Sequence, residues 1–571
     1  MNRMFPFWRK LALAAGSLSS LVLLGQNRVT VERDPAYPSA GSRAPFVLSH
    51  SGMVEIELAT TNPGPAPVNS LAGPPRAVLT PSPSLTFTGM TQTPSLDGGF
   101  TYKPPDTHHA VGPGAGAAGR LVHVTNTGIQ IYNKTGASVE GPTDLDIFLT
   151  ALGASGLTAS GVANLGFDPK VLYDQHSSRF FVVILDGRTP GVGGRSNVHI
   201  CTSTTSTPAT LSGADWTVET ASALTTFGVT DGWFDYPALG ADATRLVVSG
   251  NIFDTGGFFI GTKIRVFLKS SLTDNGAPAG STFNDINIDA SVISAFSLNP
   301  CHVFGATLNS DFYLISRFGS TTYTLAQITG AGGAATLVPG SPTTHAWTAG
   351  DYLASGAPQI DGGLNGVQPT IATLSSRIQN AVYRDAPSNP DSIWLALTSD
   401  PDGDARSEVF WAEIDPNSSN SAVAGTLTTP SISQSGFIDG ATPASDWTFM
   451  PAISINISGD AMITYNQSSS TTAVSILATA QHVADPPGTF QAPVTIATGA
   501  GEYDDFNPDA MERWGDYAGM AVDPDDDETF WLSGELCQTA VTGAGNDADW
   551  GTRIARMGVV TPVELISFSV E

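Results

Sequence analysis

One pattern recurs seven times after Pro104 and restricts the fold more than any other feature of the chain. Each unit opens on a polar or acidic residue beside Pro or Gly, runs into a strand, turns at Asp, Ser, Asn or Gly, and continues into a more apolar strand. The openings are Asp106, Asp168, Asp235, Asn299, Arg377, Met450 and Asp516. Their spacings are 62, 67, 64, 78, 73 and 66 residues, which is a period. The Arg377 unit fits least well, since Gln368-Pro369 could equally open it. A third alternating strand follows each pair: Ile129–Tyr132, Val198–Cys201, Ile264–Phe267, Tyr323–Ala326, Val409–Ala412, Val474–Leu477 and Arg553–Arg556.

A unit of three or four antiparallel strands cannot cover both of its own faces, and stacking such units radially covers them all. The expected fold is therefore all-β, a seven-bladed β-propeller with the first strand of each unit innermost. A row of β-sandwiches is the alternative, but no Pro/Gly-rich linker falls regularly between units. Composition agrees: 60 Gly and 39 Pro with only 13% charged residues favour short strands and turns over long amphipathic helices.

The expected organisation has four parts. Residues 1–26 read as a signal peptide, with Arg3, Arg9 and Lys10 ahead of an interrupted apolar run from Leu11 to Leu24. Residues 27–100 are an irregular lead-in with short strands, 101–560 the propeller, and 561–571 a closing or edge strand. Leu85 to Phe87 is the other candidate for ring closure, which matters because an open ring leaves bare sheet edges. Export places the chain outside the cytoplasm, extracellular or periplasmic. A formal charge of −27 excludes nucleic-acid and anionic-membrane partners, because phosphate binding needs clustered Lys and Arg. The three cysteines, Cys201, Cys301 and Cys537, allow at most one internal disulfide and show no metal-ligand spacing, so they read as small buried side chains.

Pro104-Pro105-Asp106-Thr107 with Ala110-Val111-Gly112-Pro113, Asp168-Pro169-Lys170-Val171-Leu172-Tyr173-Asp174, and Arg513-Trp514-Gly515-Asp516-Tyr517 with Asp523-Pro524 and Thr529-Phe530-Trp531 resemble a family of secreted bacterial β-propeller proteins of sialidase-like build. The resemblance runs from about residue 104 to 557. It implies export and a propeller, and it names no catalytic residue. The chain departs from that family's pattern at His108-His109 and in having no Cys in the Asp525–Glu528 turn.

Around a shared hub, Asp106, Asp235, Tyr236, Arg513, Trp514, Asp516 and Tyr517 form the candidate ligand site: carboxylates, a guanidinium and aromatic faces suited to a sugar or a cation. The same residues could instead pin strand starts and pack between blades. Asp523, Asp525 and Asp527 alternate as Ca²⁺ ligands do, but the glycine and distal glutamate of a calcium loop are missing, so a solvated hairpin turn reads first. No other cofactor is expected. Ser95–Tyr102 fits a single Asp-box turn, and His108 and His109, adjacent on a strand, cannot easily share an ion. Two functions stand side by side: a monomeric binding or structural propeller for a glycan or an extracellular or cell-surface protein, and a sialidase-like hydrolase or lyase.

Overall fold

The structure, a computed structural model, describes residues 30–33, 46–49, 81–92, 103–126, 128–155, 166–189, 195–222, 232–254, 256–273, 281–290, 295–305, 311–350, 356–360, 369–386, 389–416, 425–440, 445–504, 511–540 and 549–559. The signal region, the Asp-box turn and the 561–571 segment lie outside them. Among the described residues no helix is long and apolar enough to cross a membrane.

Seven antiparallel sheets form the ring. Blade 1 contains His108–Val111, Leu121–Val124, Gly128–Tyr132 and Ser138–Asp144; blade 2 Gly166–Asp174, Arg179–Thr189, Arg195–Ser203 and Trp216–Ser222; blade 3 Gly232–Ala241, Arg245–Asp254, Phe259–Leu268 and Phe283–Asp289. Blade 4 runs from Asn299–Pro300 through Phe312–Phe318 and Thr322–Thr329, with two short strands sharing its outer edge. Blade 5 holds Ile378–Ala386, Asn389–Ser399, Glu408–Asp415 and Ser431–Ile438, and blade 6 Trp447–Ile455, Ala461–Ser469, Thr472–Gln481 and Val494–Ala497. Blade 7 takes Gly519–Val522, Phe530–Thr539 and Asp549–Gly558 from the end of the chain.

The fourth strand of blade 7 is Ser82–Thr91, from the lead-in. It lies antiparallel to Asp549–Gly558, with Phe87 opposite Ile554, and its Phe87 ring packs 5.3 Å from Tyr132 of blade 1. Of the two closing segments that the alternation allows, the described residues show this one in place. The propeller thus begins inside the stretch assigned to the lead-in.

The expected openings mark a real backbone device. Asp106, Asp168, Tyr236 and Met450 all have φ between 47° and 52°, in the left-handed region. In three of these blades the next residue is Pro, and the ladder shifts register there, between Phe167 and Lys170, Asp235 and Ala238, and Phe449 and Ala452. Proline has no N–H to give the ladder, so a bulge forms and re-aims the residue before it. In blade 3 that residue is Tyr236, one position beyond the expected opening. Blade 4 differs: after Pro300 its inner strand leaves its own sheet, and His302–Gly305 pairs parallel with Val382–Asp385 of blade 5.

The core lies between blades. Phe181, Val183 and Leu185 of blade 2 meet Phe234, Leu246 and Val248 of blade 3. Trp394 and Trp411, stacked 5.8 Å apart in blade 5, belong to one cluster with Ile453, Ile463 and Tyr465 of blade 6. Each fully buried side chain of this size contributes about 1.5–3 kcal/mol. The three cysteines are free and buried.

Candidate functional site

The inner strands run side by side around a central channel, and its two ends carry different chemistry. At the strand-start end the openings converge. The Asp106 carboxylate accepts the Asp516 N–H (2.7 Å) and the Asn126 side-chain amide. Asn126 passes the link to blade 2 by accepting the Asp168 N–H (2.7 Å), and Asp168 accepts the Tyr236 N–H of blade 3 (3.2 Å). Tyr236 closes the circuit by donating its hydroxyl to the Asp516 carbonyl (3.3 Å). Asp516 also takes Arg513 Nη2 at 2.8 Å. The Tyr236 and Tyr517 rings lie 5.0 Å apart, and Arg377 lies over the Tyr236 ring at 4.5 Å.

The cluster is almost closed to water: Arg513 and Asp516 keep 15% and 13% side-chain exposure, while Asp106, Asp168, Tyr236 and Tyr517 are buried. These acids plug one end of the channel rather than rimming an open mouth. Burial, then the like charges of Asp516 and Asp168, push the Asp106 carboxyl well above the usual range. Glu535, on the second strand of blade 7, is pushed up in the same direction, first by burial and then by Asp106. A Cβ on Gly515 would stand 2.8 Å from a Glu535 oxygen and in ordinary contact with an Asp106 oxygen at 3.6 Å, so a side chain there would displace the Glu535 carboxyl. Three buried polar atoms here have no hydrogen-bond partner among the described residues: Arg513 Nε, Tyr517 Oη and Glu535 Oε1.

Not all expected residues join. Asp235 stands opposite Asn251 in the first hairpin of blade 3, and Tyr236 represents that blade. Trp514 turns away, donates its indole N–H to Asn466 (3.1 Å) and packs edge-on against Tyr503. His108 and His109 face opposite ways, as adjacent strand residues must: His109 Nδ1 meets Ser533 Oγ at 2.9 Å, while His108 lines the channel.

Asn126, Lys170 and Glu535 were not legible as site residues. Lys170 follows Asp168 by two positions, across the bulge, where strand alternation no longer tells which face a side chain takes. Glu535 is an acid inside the apolar run Phe530–Cys537, a pattern that flags a buried carboxyl.

Below the cluster the channel holds a cavity of about 730 Å³ including its open side. Its wall runs from His108 to Val111, Lys170 to Tyr173, Gln379 to Val382 and Met520 to Val522, with Ala238, Leu239, Asn299, Pro300, His302 and Phe304. No acidic residue lines it. It ends where the cluster begins, and Lys170 belongs to both.

At the strand-end rim, Lys269 of blade 3 meets Asp174 of blade 2 at 2.5 Å, and Arg245 meets Asp242 at 2.6 Å. The candidate calcium turn lies here. Asp523 and Asp525 close on Lys134 of blade 1 (2.6 and 2.7 Å), and Asp527 turns to Arg384 of blade 5 (2.7 Å). Protein cations thus meet these carboxylates, and the three do not converge on a point. Among the described residues one acidic trio does converge, Asp400, Asp402 and Asp404, in a loop whose Arg406 lies against Asp404 and Glu408.

No protein-family model matches the chain, and no curated protein does. Solved structures give distant similarities. A thermostable family-43 glycoside hydrolase is 13% identical, with a TM-score of 0.29 over 72% of this chain and 98% of its own. A protein of unknown function from Dyadobacter fermentans is 10% identical, with a TM-score of 0.33 over 69% and 95%. The Trypanosoma rangeli sialidase is 8% identical, with a TM-score of 0.31 over 75% and 56%. Similarities this remote bear on neither substrate nor chemistry.

Proposed function

We propose that this chain is an exported propeller that binds the end of a glycan in its central channel, reached from the strand-end side. The cavity carries this reading. Its wall mixes Val111, Leu239, Val382 and Met520 with His108, Asn299, His302 and Gln379, the alternation of apolar surface and hydrogen-bonding groups that a sugar ring presents in return. A folded protein domain could not enter such a space. The purified protein screened on a glycan array and by calorimetry should retain defined glycans, and loss of retention on Leu239→Trp, which fills the channel, would place binding there. Retention unchanged in Leu239→Trp, or none with any glycan, would end the reading. Export is tested separately by locating the full chain in cell fractions.

One observation favours a hydrolytic reading as well. Burial pushes the Asp106 and Glu535 carboxyls above the usual range beside Asp516, and a general acid at neutral pH needs a shift in that direction. The sialidase form of it expects converging guanidiniums. Two enter the cluster among the described residues, and both are engaged, Arg513 on Asp516 and Arg377 over Tyr236. Turnover of a glycan that disappears in Glu535→Gln would favour catalysis; binding without turnover would leave the first reading alone.

A further inference from the structure

Among the described residues Lys170 is the one charged side chain on the cavity wall, and its ammonium meets no acceptor. The residue is 7% exposed. Among the described residues its Nζ makes no hydrogen bond and no ion pair; its one close contact is the Tyr517 ring, 3.5 Å from the centroid. Burial opposes the charge, and the nearby acids Asp106, Asp168 and Asp516 favour it without touching it. A cation–π contact supplies only part of what an ammonium gains from hydrogen-bond acceptors, so the cavity side of Lys170 is where an acceptor would stand.

His108 supplies a second donor at the same level. Its Nδ1 accepts the Val171 N–H from blade 2 (3.5 Å), and burial followed by the nearby Lys170 charge keeps the ring neutral. The proton of the neutral ring is then on Nε2. His108 is half-buried and lines the channel.

We infer that the closed end of the channel binds a carboxylate, with Lys170 Nζ as its charged anchor and His108 Nε2–H as a second donor, and that the glycan recognised there ends in a uronic acid. This rests on the glycan reading above. The choice of a singly charged carboxylate over phosphate or sulfate dianions follows from Asp168 and Asp516 near Lys170, whose negative charge opposes a second negative charge on the ligand. A sugar ring attached to that carboxylate would extend into the cavity toward Leu239, Val382 and Met520.

Calorimetry with D-glucuronate, D-galacturonate, glucose, galactose, acetate and inorganic phosphate tests this. Uronates should bind at least about tenfold more tightly than the neutral sugars, the size of one hydrogen bond to a charged group. Lys170→Met should remove that preference. Acetate matching the uronates would sustain the carboxylate site and move its source to free acids. Equal affinity for uronate and neutral sugar, a phosphate preference, or an unchanged preference in Lys170→Met overturns the inference while the glycan reading stands. Absence of all sugar binding removes both.

Should Lys170→Met not fold, the pH dependence of uronate binding by the unaltered protein decides. Burial lowers the Lys170 pKa to about 7, against the pull of Asp106, Asp168 and Asp516. Of the groups around the ammonium, His108 is neutral and burial raises Tyr517, so neither gains charge near pH 7. Uronate affinity should fall as pH rises from about 7 while neutral-sugar affinity stays level. A flat uronate profile would also overturn it.

Discussion

At the strand-end rim, Lys269 lies 2.5 Å from Asp174, Arg384 grips both oxygens of Asp527, and Lys134 is held between Asp523 and Asp525. At the strand-start end, a few residues away along the same inner strands, Arg513 Nε, Tyr517 Oη and Glu535 Oε1 are buried without partners and Lys170 faces a cavity. Both ends bury acids and bases. The rim pairs Lys269, Lys134 and Arg384 with acids of other blades and Arg245 with Asp242 of its own blade, which is how buried charge is tolerated in a framework. Among the described residues the other end leaves donors and acceptors open around carboxyls that burial pushes above the usual range, an arrangement that costs stability and recurs at functional sites. The contrast separates scaffold from site on one wheel.

The largest effect should come from breaking a rim pair. Asp174→Asn strips the counter-charge from Lys269, whose side chain is 4% exposed, and one-sided loss of a buried pair costs about 3–5 kcal/mol. Urea denaturation should show a lower midpoint at unchanged slope. A shift below about 1 kcal/mol would mean that this rim behaves like a surface salt bridge. Gly515→Ala comes next. At φ 153°, with Glu535 2.8 Å from the added methyl, it should cost about 1–3 kcal/mol, whereas Gly558→Ala, with open space around it, should be neutral.

How much of this contrast the sequence reveals depends on what its period can encode. Asp106, Asp168, Met450 and Asp516 are legible because Pro and a polar residue must recur wherever the inner strand bulges toward the hub. The third strands are legible because their alternation matches the pleat, and all seven lie in the observed third position. The closing strand is ambiguous because Ser82–Thr91 and the segment after Pro562 alternate alike, and pairing across more than 450 residues leaves no local trace. The departure of His302–Gly305 toward blade 5 is also invisible, since a splayed strand and a continuous one read the same. Lys170 and Glu535 escape because partnering is a property of space. Whether a charge is paired, as Asp174 is, or open, as Lys170 is, depends on residues from other blades.

The two ends should titrate in opposite senses. Burial holds Glu535 and Asp106 above their unfolded values, so the folded state keeps protons that the unfolded chain loses. Stability from this end therefore declines as pH climbs above about 4. At the rim, Arg245 depresses Asp242 against the opposing effect of burial, and Lys134 does the same for Asp525. Their contribution is present above about pH 4 and lost as pH falls below it. Denaturation midpoints across the pH range should lose part of the alkaline slope in Glu535→Gln and part of the acid slope in Asp242→Asn. If Glu535→Gln instead flattens the acid side, Glu535 is ionised and the strand-start end is an ion-pair network of the rim type.

The smallest effect is the most discriminating. Tyr517→Phe keeps the ring that Lys170 and Tyr236 contact at 3.5 and 5.0 Å and removes a hydroxyl with no partner, so stability should stay within about 1 kcal/mol or rise. At the rim, Trp531→Phe removes an indole N–H bonded to Asp523 at 3.0 Å and leaves that oxygen short of a donor, at a cost of about 1–3 kcal/mol. Measured side by side, a neutral Tyr517→Phe and a costly Trp531→Phe would show that one end of the channel holds its polar atoms in reserve. Equal losses would mean that the Tyr517 hydroxyl finds a permanent partner in solution, and the orphan atoms at this end could then no longer be read as groups waiting for a ligand.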